Sequence, residues 1–338
     1  MCSHESTHPT WRIIAVLGPT ASGKTAIAEE LAVRLDGEIV SADSMQIYRG
    51  MDIGTAKPPA SERQVPYHCI DLVDPGEPFS AALFQQVARE AIAGIVARGR
   101  VPIVAGGTGM YVRAALDDWS FPHGEQTSPL RIELERLAEE VGAQAMHERL
   151  HASDPDSAGL IHPNNVRRTI RALEMAAEGT SYAAQASGFS RRASVYDTVF
   201  LGLNVDRDVL YRRIEDRVDA MVAAGLLGEV EDLLAAGFRS GLTASQAIGY
   251  KELVPVIEEG FPLPEALAAI KQATRRYAKR QLTWLRADPR IGWVDVTGGL
   301  VADGTRAILD LLESDTPSSA PGTADDPGGQ ASERRGAP

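Results

Sequence analysis

The sequence predicts an α/β fold in which a parallel sheet is flanked by helices and carries an all-helical insertion. Short apolar runs of strand length, including one at 67–72 that could be a short strand, alternate with helical patterns from residue 11 to 118 and again from 199 to 313. Between 119 and 198 the helical patterns, among them a charged amphipathic helix over 131–149, follow one another without a strand. We therefore expect a core of 11–118 and 199–313 with an inserted helical domain of 119–198. Residues 314–338 are rich in Pro, Ala, Gly and Ser without periodicity, which predicts a disordered tail.

Composition excludes several classes of protein. The 338 residues carry a net charge of −12, so there is no overall basic field for nucleic acid and any RNA contact must come from local basic surface. The two cysteines, Cys2 and Cys69, are too few for a disulfide framework or a zinc knuckle. No apolar run approaches the roughly 18 residues of a membrane span, and the polar N-terminus does not resemble a signal peptide. We expect a cytoplasmic protein without a membrane partner.

A glycine-rich segment after the first apolar run matches G-x-x-x-x-G-K-[ST] at every fixed position. An apolar run precedes it at 11–17 and a helical pattern follows at 26–32, as a P-loop requires. Such a loop presents backbone N–H groups and a helix N-terminus to a polyphosphate, while Lys24 reaches its oxygens and the Thr25 hydroxyl ligates Mg²⁺. The alternative is a glycine turn without a ligand. The segment, called the phosphate loop below, consists of Gly18, Pro19, Thr20, Ala21, Ser22, Gly23, Lys24 and Thr25.

Two further segments end predicted strands of this P-loop NTPase-like sheet. Asp43 ends the predicted strand 38–44, and Thr108 follows the predicted strand 101–104 within a glycine turn. Ligands of open α/β sheets lie at the carboxyl ends of the strands, so both side chains are predicted near the phosphate loop. Asp43 could instead cap a helix beginning at Ser44, and the segment around Thr108 could be a simple turn. The acidic residue that many P-loop nucleotidases place after such a strand is missing from this turn.

Arginines concentrate in two helical patterns. A helix predicted to start at an Asn within 162–165 carries Arg167, Arg168 and Arg171, which form either a solvated face or a contact for a phosphate backbone. Arg213 and Arg217 are four residues apart and share a helix face. They could form surface ion pairs with neighbouring carboxylates, or a forked clamp on a departing pyrophosphate.

The segment 263–286 predicts a long helix with one basic face. Seven Lys and Arg residues lie between 271 and 290, while Ile270, Tyr277 and Trp284 recur every seven residues. One side of the helix is therefore expected to pack, and the other to present positive charge to a phosphate backbone. We single out Arg276 and Arg280 as RNA contacts.

Taken together, these segments resemble the tRNA dimethylallyltransferase family. The resemblance spans residues 12 to about 296. The phosphate loop alone is common to many families, but its combination with the other motifs is specific. The matching segments are 18–25, 41–48, 54–58, 106–111, 162–164, 248–251 and 279–286.

The resemblance implies transfer of a dimethylallyl group from dimethylallyl diphosphate to N6 of the adenosine just 3′ of the tRNA anticodon. It implies Mg²⁺ as cofactor, no ATP as substrate, and an insertion that grips the anticodon stem-loop; we expect a monomer. The phosphate loop, Arg213 and Arg217 would bind the diphosphate, and Asp43 would be the general base, with Lys24 and Thr108 as further catalytic residues. The zinc finger that eukaryotic relatives add at the C-terminus is absent from this sequence. The implied tRNA contacts are Asp43, Ser44, Met45, Gln46, Thr108, Arg131, Arg167, Arg168, Thr169, Ile170, Arg171, Gln246, Ala247, Ile248, Gly249, Tyr250 and Lys251, besides Arg276 and Arg280.

Three other activities compete with this interpretation. A small-molecule kinase would use the same loop with ATP and would employ Arg213 and Arg217 as lid arginines, but the missing acidic residue argues against it. A GTPase-like RNA-binding switch would need a base-reading Asn-Lys-x-Asp motif, which does not occur. An enzyme that prenylates free AMP would leave the insertion and both basic segments without a purpose.

Overall fold

The computed structural model describes residues 12–121 and 128–314. Cys2, the first residue of the predicted apolar run and all of the predicted disordered tail except Ser314 lie outside the described residues. Within the described part of the chain, no helix is both long and apolar enough to cross a membrane.

Six parallel strands form one sheet in the order β3-β2-β4-β1-β5-β6. The central strand β1 reads IIAVL and every one of its residues is buried, because a parallel strand is covered by helices on both faces. The α/β prediction is thus confirmed. The strands are β1 (Ile13–Leu17), β2 (Gly37–Ala42), β3 (Tyr67–His68), β4 (Val101–Gly106), β5 (Thr198–Asn204) and β6 (Ile291–Asp295).

Helices pack on both faces of the sheet. One core cluster lies under α2, α3, α9 and α10, and the other lies under α1, α8 and α12. The long helix α11 contributes Ile270 and Leu285 to the first cluster and Ala278 to the second. The helices are α1 (Lys24–Arg34), α2 (Ala81–Ala97), α3 (Gly109–Leu116), α4 (Pro129–Ser153), α5 (Pro155–Leu160), α6 (Val166–Ala177), α7 (Tyr182–Ser190), α8 (Arg207–Ala223), α9 (Leu226–Ala235), α10 (Tyr250–Glu259), α11 (Leu263–Arg286) and α12 (Val301–Ser314).

Between α3 and β5 the described residues form four helices, α4 to α7, and none of the six strands of the sheet. These helices enclose a separate apolar cluster around Leu134, Met146 and Leu150. The Asn165 side chain accepts a hydrogen bond from the backbone N–H of Arg168 at 3.3 Å and caps α6, as the sequence predicts. The predicted helix 131–149 is part of the longer α4, which is kinked at Gly142 because that residue has φ of 80°.

The two connections between core and insertion pair with each other. The Asp118 N–H donates to the Ala193 carbonyl and the Val195 N–H donates to the Leu116 carbonyl, each at 2.8 Å. Beside this pairing, the fully buried carboxylate of Asp117 accepts hydrogen bonds from two arginines, Arg113 and Arg290. The insertion therefore begins and ends at one fixed point of the core.

Two strands are shorter than the sequence predicts. The predicted second strand 38–44 stops at Ala42, since the chain turns at Asp43. A strand over 67–72 was also predicted, but only Tyr67 and His68 pair with β2. Cys69 and Asp71 have φ of 61° and 53°, and this left-handed backbone cannot continue a strand.

Candidate active site

The site lies where three neighbouring strands end. The phosphate loop follows β1, Asp43 follows β2, and Thr108 follows β4 by two residues. Because β2, β4 and β1 are adjacent and parallel, their carboxyl ends bring these three segments to one rim of the sheet. The structure thus brings the three predicted segments together.

The phosphate loop forms a compact turn into α1. Ala21 and Gly23 have φ of 62° and 87°, and a Cβ on Gly18 would stand only 2.7 Å from the Ser22 hydroxyl oxygen. Gly23 occupies the N-cap position of α1, whose first residue is Lys24. The loop therefore ends on an exposed helix N-terminus, the arrangement that favours anions.

A small cavity of about 40 Å³ opens above this loop, with Lys24, Thr25, Asp43 and Arg217 in its lining. Burial lowers the pKa of Lys24 to about 8; the Asp43 carboxylate opposes this shift and Arg217 adds to it. Burial also lowers the pKa of Arg217, again opposed by Asp43. Two partly desolvated cations thus face one carboxylate, and an anionic ligand would relieve their mutual repulsion.

Asp43 lies at the junction of this cavity and a larger one. Its Oδ1 accepts a hydrogen bond from the Met45 N–H at 2.9 Å, which closes a turn, and no helix begins at Ser44. The alternative role as a helix cap is therefore wrong. Asp43, Thr20, Thr55 and Arg217 line both cavities.

The larger cavity has a volume of about 460 Å³. Ile214, Val218, Met221 and Ile270 give it an apolar wall, and Asp43, Arg217, Arg276 and Arg280 give it a polar one. Arg276 and Arg280 are exposed on α11, so part of the predicted basic side of this helix faces the cavity. Met45, Ser44 and the segment 246–251 line it as well, with Gln246 and Lys251 exposed.

Thr108 braces the rim and does not line either cavity. Its hydroxyl oxygen accepts a hydrogen bond from the Ser44 N–H at 3.1 Å, and its own N–H donates to the Ala42 carbonyl at 3.2 Å. The Tyr277 hydroxyl interacts with Thr108 and Gln281; burial first, and then Asp43, raise the pKa of Tyr277 to about 12. Thr108 thus holds the turn that follows Asp43.

Several predicted tRNA contacts are part of the protein interior. Gln46 is 8% exposed and accepts a hydrogen bond from the Ser41 hydroxyl at 2.8 Å. Tyr250 is fully buried and donates to Glu229 at 2.6 Å. The Ala247 side chain is buried too, and the structure assigns these residues to the walls of the site.

The structure does not bring the Arg213 guanidinium into the small cavity that Arg217 lines. The Arg213 guanidinium donates to the backbone carbonyl of Thr297 at 2.9 Å, beyond β6, and lines neither cavity of the site. Arg213 therefore lies outside the predicted clamp, because its guanidinium already donates to carbonyls of the β6–α12 connection.

The arginines of the insertion fall into two groups. Arg167 and Arg168 are exposed, whereas Arg131 and Arg171 pair with the buried carboxylate of Glu174 at 2.9 Å and 3.6 Å. Thr169 and Ile170 are 0% and 3% exposed because they lie on the buried side of α6, so they offer no surface to RNA. A helix with three arginines in one turn cannot direct all of its residues outward.

Two networks that sequence analysis missed hold the loop before β3, of which Gly54 and Thr55 line the larger cavity. Glu229 accepts hydrogen bonds from the backbone N–H groups of Asp52, Ile53 and Gly54, in addition to that from Tyr250. The Lys57 ammonium donates to the carboxylates of Asp52 and Asp71 and to the Tyr48 carbonyl. Lys57 belongs to the 54–58 motif, whereas no sequence signal links Glu229 to residues more than 170 positions away.

The small cavity suits a magnesium ion bound together with a phosphate. Its oxygen donors include the hydroxyls of Thr25 and Ser41 and the carboxylate of Asp43, and Mg²⁺ prefers such donors while retaining several waters. Among residues 12–121 and 128–314, no group of three or more His, Cys, Asp or Glu could hold a metal by itself. A P-loop site needs no such group, since phosphate oxygens complete the coordination.

Comparisons with known proteins agree with this geometry. The family model "IPP transferase" matches residues 46–288, and the model "Isopentenyl transferase" matches 11–66. A tRNA dimethylallyltransferase of Geobacillus thermodenitrificans is 49% identical over 85% of this chain and 91% of that relative. A tRNA dimethylallyltransferase 1 of Pelobacter propionicus is 51% identical over 84% of this chain and 92% of its own length.

Solved structures agree as well. The full-length tRNA isopentenylpyrophosphate transferase of Bacillus halodurans superposes with a TM-score of 0.66 at 43% identity, covering 90% of this chain and 96% of that one. A eukaryotic dimethylallyltransferase acting on tRNA gives a TM-score of 0.76 at 29% identity, covering 91% of this chain and 81% of that one. The chain therefore belongs to the IPP transferase family, the tRNA dimethylallyltransferases.

Proposed function

We propose that this enzyme transfers a dimethylallyl group from dimethylallyl diphosphate to N6 of the adenosine 3′-adjacent to the anticodon of tRNA, and releases diphosphate. The position of Asp43 carries the proposal. This carboxylate stands between a small cationic cavity above the phosphate loop and a larger cavity with one apolar and one basic wall. A donor held by its diphosphate and a base entering from the other side would meet at Asp43.

The residues fit the chemistry of the transfer. The C1–O bond of the donor breaks and a bond from C1 to N6 forms, while one proton leaves the exocyclic amine. The negative charge that gathers on the departing diphosphate would be stabilised by Lys24, Arg217 and the backbone N–H groups of the loop. Asp43 would orient the amine and accept its proton.

A magnesium ion would be held by the Thr25 hydroxyl and the diphosphate oxygens. When bound, it would supply positive charge to the leaving group. The protein itself supplies the cavity and the oxygen donors around it.

RNA would be bound through exposed cations on the core and on the insertion. Arg276 and Arg280 lie on α11 beside the site, and Arg167 and Arg168 are exposed on the insertion. The target base has to leave its stack to reach Asp43, which costs a few kcal/mol and is offset by stem-loop contacts.

We also propose that the enzyme acts as a monomer in the cytoplasm.

The test incubates the purified enzyme with dimethylallyl diphosphate, Mg²⁺ and an unmodified tRNA anticodon stem-loop. Mass analysis of the nucleosides should show one adenosine per stem-loop heavier by a dimethylallyl group in place of a hydrogen. A parallel reaction replaces RNA with AMP, and another replaces the donor with γ-labelled ATP. Prenylation of AMP without that of RNA, or transfer of the labelled phosphate to any acceptor, would overturn the proposal.

A further inference from the structure

A glutamine on α11 connects two glycine turns of the site that lie far apart in sequence. Gln281 is 6% exposed, and its Oε1 accepts a hydrogen bond from the Thr20 N–H in the phosphate loop at 2.9 Å. Its Nε2 donates to the Gly107 carbonyl, after β4, at 3.0 Å. Both ends of one side chain amide are therefore committed to the backbone of the site.

The two turns leave no room for a Cβ at Gly107 or Gly109. A Cβ on Gly107 would stand 2.3 Å from the Gln281 Nε2 and 2.7 Å from the Gly18 carbonyl oxygen. A Cβ on Gly109 would stand 2.2 Å from the Trp284 ring. Gln281 and Trp284 are three residues apart on one helix, so both point to the same side of α11. The glycines therefore permit α11 to approach the rim closely.

The two hydrogen bonds of Gln281 hold the two segments that the proposed reaction needs, the phosphate loop and the turn at Thr108. Thr20 lines both cavities, so fixing its backbone fixes the loop that faces the diphosphate. Gly107 precedes Thr108, whose hydroxyl holds the Ser44 N–H and thereby the turn that follows Asp43. A single side chain thus lies between the element for the leaving group and the element for the base.

We infer that Gln281 is a positioning residue, which sets the separation between the phosphate loop and the Thr108 turn so that donor and base are aligned. The inference rests on the proposed function. A side-chain amide donates through one atom and accepts through its neighbour, whereas an ionised carboxylate or an apolar side chain of this size loses one or both bonds. Gln281 does not line either cavity and acts through Thr20 and Thr108.

The first test compares Gln281→Met with the unchanged enzyme. The substitution keeps the volume but removes both hydrogen bonds, so we expect the Kd of inorganic diphosphate with Mg²⁺ and the KM for the donor to rise about tenfold and kcat to fall about tenfold. The Kd for the anticodon stem-loop should stay within twofold. Thr283→Ala is the matched control: this exposed hydroxyl of the same helix bonds only to the Lys279 carbonyl, and its loss should change none of these constants.

A second variant separates positioning from folding. In Gln281→Glu the introduced carboxylate still accepts from the Thr20 N–H but cannot donate to Gly107 unless it is protonated. The ratio of its kcat to that of the unchanged enzyme, at saturating substrates, should therefore rise as the pH falls from 8 to 5.5 and the carboxyl group regains its proton.

Specific results would overturn the inference. A Gln281→Met enzyme that unfolds at lower temperature but keeps the diphosphate Kd, the donor KM and kcat would show a structural role alone. A kcat ratio of Gln281→Glu to the unchanged enzyme that does not change with pH would lead to the same conclusion. Failure of the unchanged enzyme to prenylate RNA would instead contradict the proposed function, and binding of inorganic diphosphate would still report on Gln281.

Discussion

Asp43 uses only one carboxylate oxygen to hold its own turn, through the Met45 N–H. Asp43→Asn keeps an acceptor for that bond and removes the base, so we expect kcat to fall by ~10²–10⁴ while the fold is preserved. Single-turnover prenylation of the stem-loop measures the loss. The Kd of the stem-loop for the variant should equal that for the unchanged enzyme. A variant with near-normal kcat would exclude Asp43 as the general base.

We expect Lys24 to make the binding of diphosphate sensitive to pH. Since burial lowers its pKa to about 8, its charge is present below that pH and is lost as the pH rises through it. Diphosphate favours the charged form, so the Kd of inorganic diphosphate should rise about tenfold between pH 7 and pH 9. Calorimetry at pH 8.5 in buffers of different ionisation enthalpy should also detect proton uptake on binding.

Lys24→Met provides the control for this measurement. The variant should bind diphosphate weakly at every pH and should keep only the pH dependence that belongs to the ligand itself. An equal pH dependence in both proteins would assign the effect to another group.

At the scale of single residues, sequence predicts what is local. The phosphate loop and Asp43 were found because each is a short motif beside a strand. Arg213 was assigned to the wrong place because a four-residue spacing fixes a helix face but not what a long side chain meets there. Glu229 and Gln281 were missed since their partners lie more than 170 residues away along the chain.

The basic residues of α11 fall into two groups, one exposed at the larger cavity and one in ion pairs with α8. Arg276 and Arg280 are exposed at the larger cavity, whereas Lys271 and Arg275 pair with Asp219 and Glu215 of α8. Replacing Arg276 and Arg280 by glutamine should weaken stem-loop binding at least tenfold and reduce the slope of log Kd against log salt by about 1–2. Binding titrations at several salt concentrations check this.

The paired cations supply the matched control. Replacing Lys271 and Arg275 removes the same charge from the same helix but breaks contacts with α8, so the salt slope should hardly change. Equal slopes for the two double variants would mean that only net charge matters, and that the cavity face of α11 does not contact RNA.

Whole elements were predictable where one physical signal dominates them. The bounds of α11 agree with the predicted helix 263–286, because periodic apolar residues run unbroken from Pro262 to the turn at Ala287. Only the first two residues of the predicted strand 67–72 pair with β2, because the positive φ angles of Cys69 and Asp71 depend on the loop around Lys57, which a short apolar run does not reveal.

At the opposite end of the sheet from the site, Glu38 anchors β2 to α2. Its carboxylate is 2% exposed and accepts hydrogen bonds from Arg98, while His68 and Arg100 lie beside it. The hydrogen bond from Arg98, with that of His68, lowers the pKa of Glu38 to about 2 against the opposing effect of burial. The stabilisation is thus complete above about pH 4.5 and is lost as the pH falls towards 2.

Glu38→Gln should reduce the free energy of unfolding at pH 7 by ~2 kcal/mol and leave kcat unchanged. Urea unfolding at pH 7 and pH 3 checks it, and the difference from the unchanged protein should shrink at the lower pH. Glu30→Gln, which removes an exposed i,i+4 pair with Arg34, should cost less than about 0.5 kcal/mol. Equal effects of both substitutions would contradict the role of burial.

For the molecule as a whole, the alternation of strands and helices predicted the sheet, and its interruption predicted the helical segment. The strand order could not be read from that alternation, since it is set by which crossovers return to β1. The sequence also could not show that Arg131 and Arg171 meet Glu174 inside the insertion, because that depends on the packing of α4 against α6.

The backbone pairing of 116–118 with 193–195 has an evolutionary consequence. Because the two connections are hydrogen-bonded to each other, the ends of the inserted segment are already held together. The length of that segment therefore has little effect on the entropy of closing the chain within the sheet. The helices between those points are then free to lengthen, shrink or be exchanged as a cassette among relatives while the strands stay in register. Differences in the length and sequence of these helices can then accumulate without disturbing the strands that carry the site.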